Sequence, residues 1–119
     1  MTIAIPIELN EYYEGRIADD FWCADRIGFF QIDGEMLAGF VVKDLNKEII
    51  DNLQEYKVHA VIAGMLQPVA VQSFHNEGIT CYSPKGREIA TNLSQFLHHG
   101  LMVLNSSNNE GDVLVNRSA

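Results

Sequence analysis

The sequence has 119 residues, 47% of them hydrophobic, which is enough for one domain with a core of its own. Its formal net charge is −8, and acidic residues crowd the first 35 positions; because they would repel a phosphate backbone, we do not expect nucleic acid as a partner. The two cysteines, Cys23 and Cys81, lack CxxC spacing, which excludes a disulfide framework and a Cys-rich zinc site.

The chain carries no signal for a membrane or for export. No apolar run approaches the roughly 20 residues of a membrane span. The N-terminus lacks the basic start and long apolar stretch of a signal peptide. We therefore predict a cytoplasmic protein without a membrane partner.

The first elements are predicted to be strands. Ile3 to Leu9 is largely apolar and predicts a strand, and Asn10 to Asp20 predicts a polar loop. Arg26 to Asp33 and Met36 to Lys43 have strand composition and flank a tight turn, so they predict an antiparallel hairpin.

A first helix is predicted to follow the hairpin. Asn46 is a suitable N-cap, and we expect the helix to end near Lys57. The apolar residues recur at helical spacing: Ile49, Ile50, Leu53 and Tyr56.

The segment from residue 58 to residue 82 predicts a strand, loop, helix and strand in succession. His59 to Ala63 has the composition of a buried strand, Pro68 suits the first position of a helix, and Gly78 ends it before Ile79 to Tyr82. The loop 64–67 therefore lies at the carboxyl end of a predicted parallel strand. Open α/β sheets bind ligands at that edge, so this loop is a candidate wall of a site.

The last predicted helix runs from Arg87 to His99, with Gly100 as its stop. We place the domain at residues 1–101 and a flexible tail at residues 102–119, in which 113–115 is an alternative short edge strand. The element order predicts an α/β protein, a three-layer α/β/α sandwich around a mixed five-stranded sheet with one antiparallel strand.

Several segments in this order resemble the dinitrogenase iron–molybdenum cofactor biosynthesis (nitrogenase accessory factor) family. The family's opening strand ending in Ile-Pro is similar to Ile3-Ala4-Ile5-Pro6. Its Phe-Gly-x-Ala-x-x-Phe stretch resembles residues 21–27, and its Ile-Ala-Gly strand end, helix and Gly-Ile resemble residues 61–64 and 78–79. The resemblance covers about residues 1–101.

This resemblance implies an RNase H-like fold and a small protein that binds or carries iron–molybdenum cofactor precursors, which are iron–sulfur clusters. It places a site at residues 19–24 and 64–68. The chain departs from the family there, since Asp20 stands at a histidine position and Trp22, Met65 and Gln67 stand at glycine positions. The candidate cofactor-binding residues are Asp20, Trp22, Cys23, Gly64, Met65 and Gln67.

Each candidate side chain has a functional and a plain interpretation. Cys23 is a soft metal ligand beside the hard carboxylate of Asp20, or else a buried thiol next to a solvated acid pair. Trp22 is a ligand lid or partner anchor, or packs over the sheet end. Met65 offers a thioether or packs on the sheet, and Gln67 donates to a ligand or is a surface residue.

No nucleophile–base motif, P-loop or dinucleotide fingerprint occurs, so we do not predict an enzyme. The leading hypothesis is a binding or carrier protein for a metal-cluster cofactor or another small anion. The alternative is a degenerate family member that acts on a partner protein without a cofactor. A third hypothesis is an enzyme that uses Asp20 and Glu8.

Overall fold

The computed structural model describes residues 1–9, 15–21 and 24–104. Within these residues the chain forms a mixed sheet with three α-helices and a 3-10 helix. The elements in chain order are β1 (Thr2–Leu9), β2 (Gly15–Ile17), β3 (Arg26–Asp33), β4 (Met36–Asp44), α1 (Lys47–Asp51), the 3-10 helix (Leu53–Tyr56), β5 (Val58–Ile62), α2 (Pro68–Asn76), β6 (Thr80–Ser83), α3 (Ile89–Leu97) and β7 (Met102–Leu104).

The sheet has seven strands in the order β4-β3-β1-β5-β6-β7, with β2 paired to the end of β1. Strands β1, β5 and β6 are parallel neighbours, whereas β2, β3 and β7 run antiparallel to the strands they pair with. The predicted sheet of five strands with one antiparallel strand is therefore wrong. The two additional strands, β2 and β7, have only three residues each, and they are strands because a neighbouring strand offers them backbone partners.

Strand β2 continues the line of β5 along β1. Ile7 pairs with Arg26 of β3 on one side of β1 and with Ile17 of β2 on the other side. Since β5 pairs only with the first residues of β1, β2 takes its place where β5 ends. The predicted polar loop thus contributes its last residues to the sheet.

Strand β1 is covered on both faces, which makes the domain a three-layer sandwich. Ile3, Ala4 and Ile5 are completely buried. On one face Ala4 belongs to a core with residues of α1, the 3-10 helix and α2, and on the other Ile3 and Ile5 belong to a core with Leu93 of α3. The predicted α/β class with helices on both faces is confirmed at this level.

The first helix is shorter than predicted. Asn46 is its N-cap, as expected, and its Oδ1 accepts a hydrogen bond from the N–H of Ile49 at 2.9 Å. The helix stops at Asp51 because the side chain of Asn52 donates to the carbonyl of Glu48 at 2.8 Å, and a 3-10 turn follows. Its exit at Lys57 has a left-handed backbone, with φ of 56°.

The later helices follow the predicted signals with changes at their ends. Pro68 begins α2, and Gly78, with φ of +82°, follows its end. Helix α3 is Ile89–Leu97 rather than Arg87 to His99, and the left-handed residue after it is His99, at φ of 60°, instead of Gly100.

The sheet continues into the segment predicted as a tail. Met102–Leu104 forms β7, which pairs antiparallel with β6, so the folded part extends at least three residues beyond position 101. The rest of the predicted tail, 105–119, including 113–115, lies outside the described residues. Within the described part of the chain, no helix is long and apolar enough to cross a membrane.

Gly28 on β3 provides a test of how tightly the sheet is packed. A Cβ at this position would lie 2.7 Å from the ring of Phe30 and 2.9 Å from the Cδ1 of Ile7, both of which are buried. We expect Gly28→Ala to lower the free energy of unfolding by about 1–3 kcal/mol in urea denaturation, because the core is overpacked.

Gly39, on the adjacent strand β4, is the matched control because an added Cβ meets nothing within 4 Å. Gly39→Ala should leave the free energy of unfolding unchanged or slightly higher. Equal losses in the two variants would contradict the packing described at Gly28.

Candidate functional site

The carboxyl ends of the three parallel strands meet at one edge of the sheet, as the topology requires. We call this region the carboxyl edge. It comprises Glu8 at the end of β1, residues 17–20, residues 64–65 after β5 and residues 85–87 after β6.

Residues 17–20 cross the carboxyl edge and connect all three strand ends. The N–H of Ile17 donates to the carbonyl of Arg87 at 2.8 Å, and the N–H of Ala18 donates to the carbonyl of Pro6 at 2.9 Å. The carbonyl of Asp19 accepts from the N–H of Met65 at 2.8 Å, and Asp20 forms a parallel bridge with Met65. The loop after the first strand and the loop after β5 are therefore held side by side.

Gly64 permits this close approach. A Cβ on Gly64 would lie 3.1 Å from the carbonyl oxygen of Asp19, tighter than an ordinary contact. The oxygen belongs to backbone that is fixed by the bond to Met65, so it has little room to retreat. The close contact with the Asp19 carbonyl thus explains why a glycine stands at the end of the Ile-Ala-Gly segment.

Arg87 is the centre of a charged cluster at this edge. Its Nη2 contacts the carboxylate of Glu8 and lies 3.1 Å from the Oδ2 of Asp19, and its Nε donates to the carbonyl of Ile17 at 3.4 Å. The same Glu8 oxygen lies 3.3 Å from the Nε of Arg16. These side chains are all about a third or more exposed, so each pair stabilises the fold by at most about 1 kcal/mol. Their main effect is to position charge.

Asn92 of α3 fixes the backbone that carries Arg87. Its side chain is completely buried, and its Oδ1 accepts from the N–H of Lys85 at 2.7 Å. Its Nδ2 donates to the carbonyls of Lys85 at 3.1 Å and Glu88 at 2.8 Å. A buried amide with all these bonds made holds one loop conformation, and Gly86 supplies the left-handed turn, at φ of +71°, that this conformation contains.

The predicted site residues fall into three groups. Asp20, Gly64 and Met65 lie together at the carboxyl edge, and the Met65 side chain is exposed instead of packing on the sheet. Gln67 is the exposed N-cap residue of α2, and its side chain makes no capping bond. Trp22 and Cys23 lie outside the described residues. Ligand binding by any of the six stays a prediction.

The described residues offer few donors for a soft metal. Among them, no group of three or more His, Cys, Asp or Glu side chains could hold a metal ion. Cys81 is buried in the core on β6, where desolvation raises the pKa of its thiol to about 12. Because the thiolate is the form that binds metals, Cys81 is unsuited to this role. A thiolate ligand at the carboxyl edge would have to come from Cys23.

From the sequence we did not predict that Arg87 and Asn92 contribute to this edge, or that Glu8 forms ion pairs there. A signal for Arg87 was present, because Lys85-Gly86-Arg87 follows β6 just as Gly64-Met65 follows β5. Both loops leave parallel strands at the same edge. Asn92 carries no comparable signal, since an asparagine within a helix is more often exposed.

A concave region lies at the opposite end of the sheet. We call it the amino-edge cavity, with a volume of about 690 Å³. Its walls are mainly apolar and include Met1, Ile32, Phe96, Leu97 and Leu101, with Asp33, Glu35 and His99 also lining it. The Arg87 charge cluster lies at the carboxyl edge and not in this cavity.

The chain resembles known proteins in its three-dimensional structure and not in its sequence. No family model and no curated protein matches the sequence. Solved structures from Methanocaldococcus jannaschii, named a "putative dinitrogenase", and from Thermotoga, named a "putative NifB protein", match with TM-scores of 0.77 and 0.67. The chain has this fold. The predicted likeness to nitrogenase-related proteins is thereby confirmed for the architecture.

The extent of the match is similar for each neighbour. The M. jannaschii protein is 18% identical, with 87% of this chain and 94% of that chain covered, and the Thermotoga protein is 16% identical, with 87% and 92% covered. The apo form of the orange protein from Desulfovibrio gigas is 19% identical, with a TM-score of 0.65 and 87% and 92% covered. At these identities the comparison establishes the fold alone.

The role of Asn92 can be tested directly. We expect Asn92→Ala to lower the free energy of unfolding by about 1–3 kcal/mol, because the buried Asn92 side chain no longer bonds the backbone of Lys85 and Glu88. In the folded variant, hydrogen exchange at the Lys85 amide should accelerate. Asn76→Ala removes an exposed side-chain bond to Gln72 and is the control. Unchanged exchange at Lys85 would show that the loop does not depend on Asn92.

Burial of the Cys81 thiol predicts an alkaline loss of stability. The folded-state pKa is about 12 and the ordinary value is 9.0, so between these values the folded protein keeps a proton that the unfolded chain has lost. Stability from this group is complete below about pH 9 and decreases as the pH rises, by at most about 1.4 kcal/mol per pH unit.

Urea denaturation of the wild type and of Cys81→Ala at about pH 8 and about pH 10.5 measures this difference. The advantage of the wild type over the variant should shrink at the higher pH. A constant difference would mean that the thiol ionises equally in the folded and unfolded states.

Proposed function

We propose that the protein is a small binding or carrier protein for a metal–sulfur cofactor precursor or a related small anion, with the ligand held at the carboxyl edge. The proposal includes the RNase H-like classification of the fold and a cytoplasmic location. It assigns no catalytic residue.

The observation that carries the proposal is the joining of separate loops at one sheet edge. The Asp19 carbonyl and the Met65 N–H bind each other at 2.8 Å, and Arg87 reaches both Glu8 and Asp19. Three strand ends that are far apart in sequence thus present polar groups together, where α/β sheets bind ligands. The fold shared with the nitrogenase-related and orange proteins supports the same interpretation.

The donor chemistry divides between two segments. Asp20 lies beside Met65, and Cys23 is three residues further along the chain. A thiolate suits iron–sulfur units, whereas a carboxylate suits harder metal centres. The described residues alone supply no soft cluster site, so cluster binding requires Cys23.

Arg87 supplies the charge that an anionic ligand needs. Its guanidinium is fixed by Glu8 and by the carbonyl of Ile17, and its side chain is 39% exposed. An anion that displaces the Asp19 carboxylate, which is 71% exposed, would gain a preformed donor with little rearrangement. We therefore add Arg87 to the six predicted binding residues.

A second candidate function is a protein-interaction module without a cofactor. The absence of a three-donor metal group among the described residues favours it. In that case Trp22 and the acidic N-terminal residues would bind a partner protein.

Anaerobic reconstitution with ferrous iron and sulfide tests the carrier function. We expect visible absorbance and iron that stays bound after desalting. Both should be lost in Cys23→Ala and weakened in Asp20→Asn and Arg87→Met, because these changes remove a ligand or the positive charge. Cys81→Ala is the control for loss of a thiol away from the edge and should keep the absorbance.

A colourless protein after reconstitution would contradict the carrier function and leave the interaction module. That alternative predicts that a partner recovered by pull-down is lost with Trp22→Ala. Undiminished recovery with this variant would reject it.

A further inference from the structure

Strand β4 is an edge strand with unusual apolar exposure. It is the terminal strand of the sheet and pairs only with β3 among the described strands. Five large apolar side chains on it are between 42% and 72% exposed: Met36, Leu37, Phe40, Val41 and Val42. No charged residue, proline or other protective feature interrupts residues 36–42 except a register shift near Gly39.

The exposed residues occupy both faces of the strand. Phe40 is paired with Phe30, and the two rings are stacked at 5.6 Å on the α3 face. Val41 is paired with Phe29, whose ring stacks on Tyr56 on the opposite face. Among the described residues the helical layers therefore stop short of β4, and no strand pairs with its outer backbone edge.

The size of this patch matches a specific contact. At roughly 150–200 Å² per side chain, five side chains exposed to this degree form a patch on the order of 500 Å². Two such patches together would remove up to about 1,000 Å² from water, which is the lower limit of a specific protein interface.

The charges at the ends of β4 identify the occupant. Glu35 precedes the strand and Lys43 lies near its end, and in the described part of the chain neither forms an ion pair. An antiparallel copy of the same strand brings each Glu35 end toward the other copy's Lys43 end, with the apolar residues between them. A strand with an acid at one end, a base at the other and an apolar centre is complementary to itself under a two-fold rotation.

We infer that β4 is the contact surface of a homodimer, in which two copies of the chain pair their β4 edges antiparallel and extend the sheet across a two-fold axis. Placing Glu35 of one copy opposite Lys43 of the other centres the two-fold axis on Gly39, so residues 36–42 of the two copies face each other. The dimer leaves the carboxyl edge of each copy, on the other side of β3, free for its own function.

Sedimentation equilibrium of the full chain from about 1 µM to about 500 µM tests the inference. We expect a reversible monomer–dimer equilibrium. Val41→Lys should weaken the dimer on the order of a hundredfold or more, because each of the two copies places one charged lysine in the shared interface. Val69→Lys is the matched control: Val69 is 75% exposed on α2, away from β4, and its change should leave the equilibrium unaltered.

A charge exchange separates self-pairing from other associations and does not depend on a core residue. Lys43→Glu and Glu35→Lys should each weaken the dimer about tenfold, because like charges then face each other twice. The double variant Glu35→Lys/Lys43→Glu should restore it. A monomer at all concentrations, a dimer insensitive to these changes, or an assembly that grows beyond two copies would overturn the inference.

Discussion

The structure depends on the burial of β1 between two helical layers. Ile3, Ala4 and Ile5 are completely buried, so both faces of this strand require cover and both of its edges require partners. Strand β3 satisfies one edge, while β5 and then β2 satisfy the other. Because β2 and β5 pair with the same edge of β1, one after the other, the residues that follow β2 lie next to the end of β5. The position of the candidate site follows from this pairing.

The ion pairs at the carboxyl edge contribute little to the stability of the fold, and their main effect is to hold the charged groups in position. The Glu8, Asp19 and Arg87 side chains are too exposed for their ion pairs to contribute much to folding. Backbone hydrogen bonds and the buried side chain of Asn92 fix the backbone position from which the Arg87 side chain extends. An arrangement with a rigid backbone and exposed charge suits reversible binding, since the charged side chains can exchange partners without unfolding anything. The apolar edge at β4 is a separate feature on the other side of the sheet.

Local signals in the sequence were sufficient for the hairpin, for the strand–helix–strand unit and for the Asn46 cap. They were insufficient for β2 and β7, because these three-residue strands exist only through pairing with β1 and β6. The break at Asn52 arises from a side-chain bond that helical periodicity does not record. At the site, Gly64, Met65 and Asp20 could be predicted from their loops, whereas Arg87 required knowing that β6 lies beside β5. Asn92 required knowing which loop packs on α3.

The most direct measurement is amide NMR of the protein before and after anaerobic loading with iron and sulfide. Paramagnetic loss of signal should centre on residues 19–20, 64–65 and 85–87, which are distant in sequence and adjacent at the carboxyl edge. The amides of Ile32, Leu97 and Leu101 around the amino-edge cavity should remain visible. Signal loss centred on that cavity, or no specific loss at all, would contradict the assignment of the carboxyl edge as the binding site.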